Sequence, residues 1–153
     1  MRRTYYLFGF VLLLVSCATQ QKLSYADIKY QEIIDLPGKN KSEIYESTLQ
    51  SMASIFNSSK AVLQYQNKED GKIIGKGITD VVYSFMPVET HFTITIDIKD
   101  EKMRITFTDM YTVLKTYGTT PLNYQSEIDS FSGSARNIIN EIKRGMNQEK
   151  NDW

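Results

Sequence analysis

The sequence predicts an α+β domain: an antiparallel sheet of about five strands with two helices packed on one face, in the order β-α-β-β-β-β-α. Three observations carry this. Residues 91–109 hold two runs of strict apolar/polar alternation that pair in a single register. Two segments with apolar residues every three or four positions lie on either side of the strand-rich middle. Strands clustered between helices argue for pairing with sequence neighbours, hence an antiparallel sheet with its apolar face covered and its other face solvated.

Composition bounds the rest. The chain has 153 residues, 18 Lys+Arg against 18 Asp+Glu, one His and one Cys, with 41% hydrophobic content. That length suits one core. A lone Cys excludes an internal disulfide framework or a multi-cysteine zinc site, and a lone His excludes a site built from several histidines. The charge balance argues against nucleic-acid binding driven by counterion release.

Residues 1–16 read as a signal peptide. Arg2 and Arg3 precede an apolar run from Tyr5 to Val15, and a small residue, Ser16, stands before Cys17. The run falls short of the roughly 18–20 residues that span a bilayer as a helix. Leu14-Val15-Ser16-Cys17 resembles a bacterial lipobox, which implies diacylation of the Cys17 thiol, cleavage before it and acylation of the new amine. Each buried CH₂ contributes about 0.8 kcal/mol, so two or more acyl chains (palmitate or its like) anchor stably where one binds reversibly. The membrane is therefore an expected partner, through lipid on Cys17. Losing Arg2 and Arg3 leaves the mature chain at a net charge of −2. Residues 17–26 read as a polar tether to a single domain over 27–150. Ala18 stands where an inner-membrane retention signal resembles Asp, and no acidic export cluster follows, so the expected location is the outer membrane, facing the periplasm.

Within the domain, Asp27–Leu36 reads as a strand closed by Pro37-Gly38. Asn40 and Glu43 suit a reciprocal N-cap, and Tyr45, Leu49, Met52 and Phe56 then mark one face of a helix ending near Asn57. Lys60–Asn67 and Lys72–Ile78 form a hairpin around Glu69-Asp70-Gly71. A three-residue loop with Gly71 left-handed would set Tyr65 opposite Gly75 and Leu63 opposite Gly77, glycines that admit a close neighbour. Gly75-x-Gly77 lacks the third glycine of a phosphate loop and opens no helix. Val81–Pro87 reads as a connection or an edge.

In the central hairpin, setting Ile98 against Met103 also sets Ile96 against Ile105, Ile94 against Phe107, Thr95 against Thr106, Thr93 against Thr108 and Asp97 against Arg104. Each is a favourable cross-strand pair, and a one-residue slip loses them all. Only Lys99 against Lys102 mismatches. Tyr117–Pro121 reads as a loop. The last helix carries Ile128, Phe131, Ala135, Ile138, Ile142 and Met146 inward, with Ser132-Gly133-Ser134 marking a kink or a break into two segments.

Pro37–Lys41, the run Gln64–Gly77 with its Gly-Lys-Ile-Ile-Gly-Lys-Gly hairpin, and Thr106-Phe107-Thr108-Asp109 resemble a family of bacterial envelope lipoprotein domains of unknown function with a TATA-binding-protein-like fold. The resemblance covers about residues 36–113. It implies a fold and a compartment and brings no catalytic residues with it.

For catalysis the sequence offers His91 at a strand start, Asp97, already matched to Arg104, and Asp109 at a strand end. These form no acid–base constellation, no calcium-type cluster of carboxylates occurs, and neither a metal nor a cofactor is expected. The expectation is a non-catalytic binding or envelope-assembly module whose contact face comprises Gln64, Gln66, Lys76, Thr93, Thr95, Asp97, Arg104, Thr106 and Thr108. An envelope protein or a small ligand would dock there. A small-ligand-binding protein or a hydrolase with an unrecognised site is the alternative, and a solvated sheet face carries the same residue types with no function at all.

Overall fold

A computed structural model describes residues 28–55, 61–83, 86–114, 118–123 and 125–147. Its elements run β1 (Tyr30–Asp35), α1 (Lys41–Ile55), β2 (Ala61–Asn67), β3 (Lys72–Tyr83), β4 (Met86–Lys99), β5 (Lys102–Leu114), β6 (Gly118–Pro121) and α2 (Gln125–Asn147). All strand pairings are antiparallel, in the order β1-β5-β4-β3-β2, with β6 also on β5.

The β4–β5 register follows the side-chain matching. Ile98 opposes Met103, Ile96 opposes Ile105, Ile94 opposes Phe107 and Asp97 opposes Arg104. The capping box at α1 also forms. The Asn40 amide donates to Glu43 Oε2 (2.9 Å) and the Glu43 amide donates to Asn40 Oδ1 (3.0 Å), so two orphan donors of the first turn are satisfied.

Four expectations need correction. Among the described residues the sheet has six strands rather than about five, because Gly118–Pro121, read as a loop, pairs with Tyr111–Leu114 as β6. Val81–Pro87 is no irregular connection: Val81 opposes Val88 and Val82 opposes Pro87, so the β3–β4 hairpin runs on to Tyr83 and Met86. The β2–β3 loop has four residues, since Asn67 opposes Lys72, and a bulge at Gln64 then shifts the register. Tyr65 thus faces Ile74 instead of Gly75, and Leu63 faces Gly75 instead of Gly77. Finally, α2 is one continuous helix of 23 residues through Ser132-Gly133-Ser134; Ile138 packs half-buried against the core as expected, and Ile139 beside it is buried more fully. Ser132 Oγ donates to the Asp129 carbonyl (2.6 Å), so its hydroxyl bonds back to the helix and leaves it unbroken. Phe56 lies outside the described residues.

Both helices lie on the face made by Ile73, Ile94, Ile96, Met103, Ile105 and Phe107, all fully buried. Phe92, Phe107 and Phe131 form a triangle with centroids 5.4–5.7 Å apart, two of its edges from the sheet to α2. Offset and edge-to-face contacts of this kind add to the area they bury. The helices meet at Gly145, where a Cβ would overlap Ser51 Oγ and lie 2.9 Å from Ser51 Cβ. At Gly75 a Cβ would make only ordinary contacts, 3.4 Å from Ile94 Cγ2 and 3.5 Å from Met52 Cε of α1, so the sheet does not demand a glycine there. Gly71 takes the left-handed conformation (φ 65°) and accepts the Ile98 amide at 2.7 Å, tying the β2–β3 turn to the end of β4.

Candidate functional site

Side chains alternate along a strand, so the strands that bury isoleucines toward the helices present their other residues on a face that no described element covers. The registers arrange that open face in rows across the sheet. One row runs Ile33, Arg104, Asp97, Lys72, Asn67, and the next runs Gln31, Thr106, Thr95, Ile74, Tyr65. Thr108, Thr93, Lys76 and Val62 follow, then Pro121, Tyr111, His91 and Ile78.

Lys76, Thr93, Thr95, Asp97, Arg104, Thr106 and Thr108 thus share one face, as the sequence predicts. Two members of the expected contact face do not join them. Gln66 opposes Ile73 and so points to the helix side at the sheet edge, while Gln64 is the unpaired residue of the bulge. The shorter register offset near the turn exchanges Gln66 for Tyr65. Sequence matching also overlooked the apolar share of this face: Ile33 is 56% exposed and Val62 62%, and Tyr65, Val82 and Val113 are exposed as well. An exposed valine inside an alternating strand was the available signal.

Asp97 is the electrostatic centre. Arg104 Nη2 and Nε donate to Asp97 Oδ2 at 2.8 and 3.2 Å, and Lys72 Nζ lies 3.5 Å from Oδ1. Partial burial would raise the carboxyl, but the Arg104 hydrogen bond and the Lys72 and Arg104 charges outweigh it and hold Asp97 below its ordinary value. Asp97 is therefore committed to two cations. At the other end, the His91 ring stacks on Tyr111 at 4.7 Å and 7°, with Glu89 Oε1 3.3 Å from His91 Nε2. His91 lies inside β4, not at a strand start, and its stacking with Tyr111 is a packing role the sequence did not suggest. Asp109 is exposed, with a positive φ of 50° at the bulge that shifts the β4–β5 register near His91. Among the described residues no group of three or more His, Cys, Asp or Glu is placed to hold a metal ion. Gly75 and Gly77 are both buried inside β3 and open no helix, which is not the setting of a phosphate loop. Cys17 lies outside the described residues. No helix among them is long and apolar enough to cross a membrane.

A family model described as a domain of unknown function (DUF4468) with TBP-like fold matches residues 30–112. A TBP-like protein from Parabacteroides distasonis superposes with a TM-score of 0.68 at 12% identity, over 79% of this chain and 93% of that one. A DUF4468 family protein from Bacteroides ovatus gives 0.66 at 8% identity, over 90% and 95%. Identities this low speak to the fold alone. No curated protein matches the chain.

Proposed function

The chain belongs to the DUF4468 family of domains of unknown function with a TBP-like fold, and from that premise we propose that it is a lipid-anchored periplasmic docking module, held by acylated Cys17 at the outer membrane and binding an envelope protein or a small ligand on its open sheet face. One observation carries the reading. The face left uncovered by both helices combines exposed apolar residues (Ile33, Val62, Tyr65, Val113) with the Thr95–Thr106 row and the Asp97–Arg104–Lys72 group. The apolar residues stand at the margins of the face, Ile33 on β1 and Val62 and Tyr65 on β2, with the polar rows between them, so a partner lying across the sheet would meet both kinds of contact. Kinship of fold with a DNA-binding saddle is analogy, since function resides in a site, and a balanced charge gives phosphate backbones little to bind.

A photo-reactive residue placed at Thr106 tests it, with a second placed at Asn140 on the exposed side of α2 as control. Irradiated envelopes should yield a specific adduct from the first position and none from the second. Adducts of equal yield from both, or from neither, sink the docking reading. The anchor is tested separately by Cys17→Ser, which should abolish fatty-acid labelling and release the protein from membranes. Equal labelling of variant and wild type rules the anchor out.

A further inference from the structure

The β3–β4 hairpin outruns its neighbours. β2 pairs with β3 only as far as Gly77 and β5 pairs with β4 only as far as Thr90, so among the described residues Ile78–Tyr83 and Met86–Glu89 form a two-stranded arm. α2 braces the base of this arm: Ser134 Oγ donates to the Asp80 carbonyl at 3.1 Å, and Val81 is buried. Beyond Val81 the arm leaves the core. Val82 is 65% exposed on one side and Met86 66% exposed on the other, with exposed Pro87 opposite Val82. Residues 84–85 lie outside the described residues. Solvated hairpin ends ordinarily carry polar turn chemistry, as Lys68-Glu69-Asp70-Gly71 and Asp100-Glu101 do at the opposite end of the sheet. This arm carries apolar side chains on both sides.

The direction of β1 relates the arm to the anchor. Tyr30 opposes Phe107 and Asp35 opposes Lys102, so the chain enters the sheet from the end at which the arm projects. Ile28, just ahead of β1, is buried in the core and holds this entry in place. Across the registers Tyr30 is level with Ile94 and Gly75. From Gly75 to Val82 the arm advances roughly 23 Å farther, at about 3.3 Å per residue. Residues 18–29, between Cys17 and β1, reach at most roughly 40 Å when fully extended. A lipid on Cys17 therefore keeps the end of the arm within reach of the bilayer.

We propose that the β3–β4 arm is a second membrane contact, in which Val82, Met86 and Pro87 enter the outer part of the phospholipid surface that holds the Cys17 lipid. This rests on the lipid-anchor reading and adds an orientation to it: the strands stand on the membrane and the open face stays accessible from the side. A few apolar side chains bind a bilayer weakly alone, and the tether makes their encounter intramolecular. Asp80 and Glu89, both exposed and opposed to each other two residues behind the apolar pair, limit the depth, because carboxylates resist leaving water.

The test uses the acylated full chain on vesicles of phosphatidylethanolamine and phosphatidylglycerol. Cys17 is blocked by its lipid, so an environment-sensitive fluorophore goes on a single added cysteine, Met86→Cys or, as control, Asn140→Cys on the exposed side of α2. Spin-labelled lipid should quench the first and leave the second unchanged. Val82→Asp should remove most of the quenching at position 86, while flotation with the vesicles and the melting temperature stay at wild-type values. Should a labelled variant not fold, broadening of the wild-type Val82 and Met86 methyl signals by spin-labelled lipid in nanodiscs makes the same measurement. Chains that float without quenching at position 86, or with equal quenching at both positions, overturn the proposal and leave the anchor intact. Chains that do not float refute the anchor, and the proposal falls with it. A photo-reactive residue at position 86 that captures an envelope protein in place of lipid also overturns it and assigns the arm to a protein partner.

Discussion

The two faces of the β4–β5 hairpin are built from the same strands and obey different rules. Toward the helices, Ile94, Ile96, Ile105 and Phe107 are fully buried in one core with Phe131, Ile139 and Ile142 of α2, and Phe107 meets Phe131 edge to face. Toward the open side, Thr95, Thr106, Asp97 and Arg104 interact across the strands and leave part of their surface to solvent. The first face is constrained by packing density, where one methylene is felt. The second is constrained only by pairing, so it is where sequence can vary or acquire a function without loss of the fold.

The sharpest way to break this contrast is to place the same charge on each side. Ile96→Glu removes an isoleucine from the core and buries an unpaired carboxylate, a loss of about 4 kcal/mol or more against a typical domain stability of about 5–15. Thr95→Glu, one residue away on the open face, should cost about 1 kcal/mol or less. Thermal melts followed by circular dichroism decide it. Equal melting temperatures for the two variants contradict the assignment of faces.

The same contrast holds along α2. At Gly145 an added methyl meets Ser51, so Gly145→Ala should cost about 1–3 kcal/mol from overpacking, partly offset by the roughly 1 kcal/mol that alanine gains over glycine in a helix. At Gly133 nothing lies within 4 Å of the would-be Cβ, and Gly133→Ala should raise stability by up to about 1 kcal/mol. Urea melts of both variants provide the comparison. A stabilised Gly145→Ala would mean that the helices do not cross at Ser51.

How much of this was legible depended on whether a residue carried its own constraint. The β4–β5 register was readable because six consecutive pairs agree and a slip reverses every one. The α1 cap was readable because Asn40 and Glu43 bond each other locally. The β2–β3 register was not, since nothing in Leu63-Gln64-Tyr65 marks a bulge, and that one irregularity moved Gln66 off the open face and put Tyr65 on it. β6 escaped because Gly118–Pro121 is too short to alternate, and its partner is the part of β5 beyond Asp109. The approach of the end of α2 to β1, where Lys39 Nζ donates to the Met146 carbonyl, joins segments more than a hundred residues apart, and no local pattern encodes it.

The smallest effect concerns the open face's own chemistry. The cations around Asp97 hold its carboxyl below the ordinary value, so the folded state binds that proton less readily than the unfolded chain does. The stabilisation is complete above the unfolded value near 3.9 and is lost as pH falls through the depressed folded value. With Arg104 half-exposed, it amounts to about 1 kcal/mol or less. Asp97→Asn should therefore lower stability slightly at pH 7, and the deficit should close as pH falls below 4, where wild-type Asp97 also becomes neutral. Added salt at pH 7 should shrink it too, because the group lies at the surface. Paired urea melts at pH 7, 4 and 2.5 follow the difference between the two proteins. A deficit that persists unchanged at pH 2.5 would assign it to packing of the side chain instead of its charge, and the open face would then share more of the covered face's constraint than its exposure suggests.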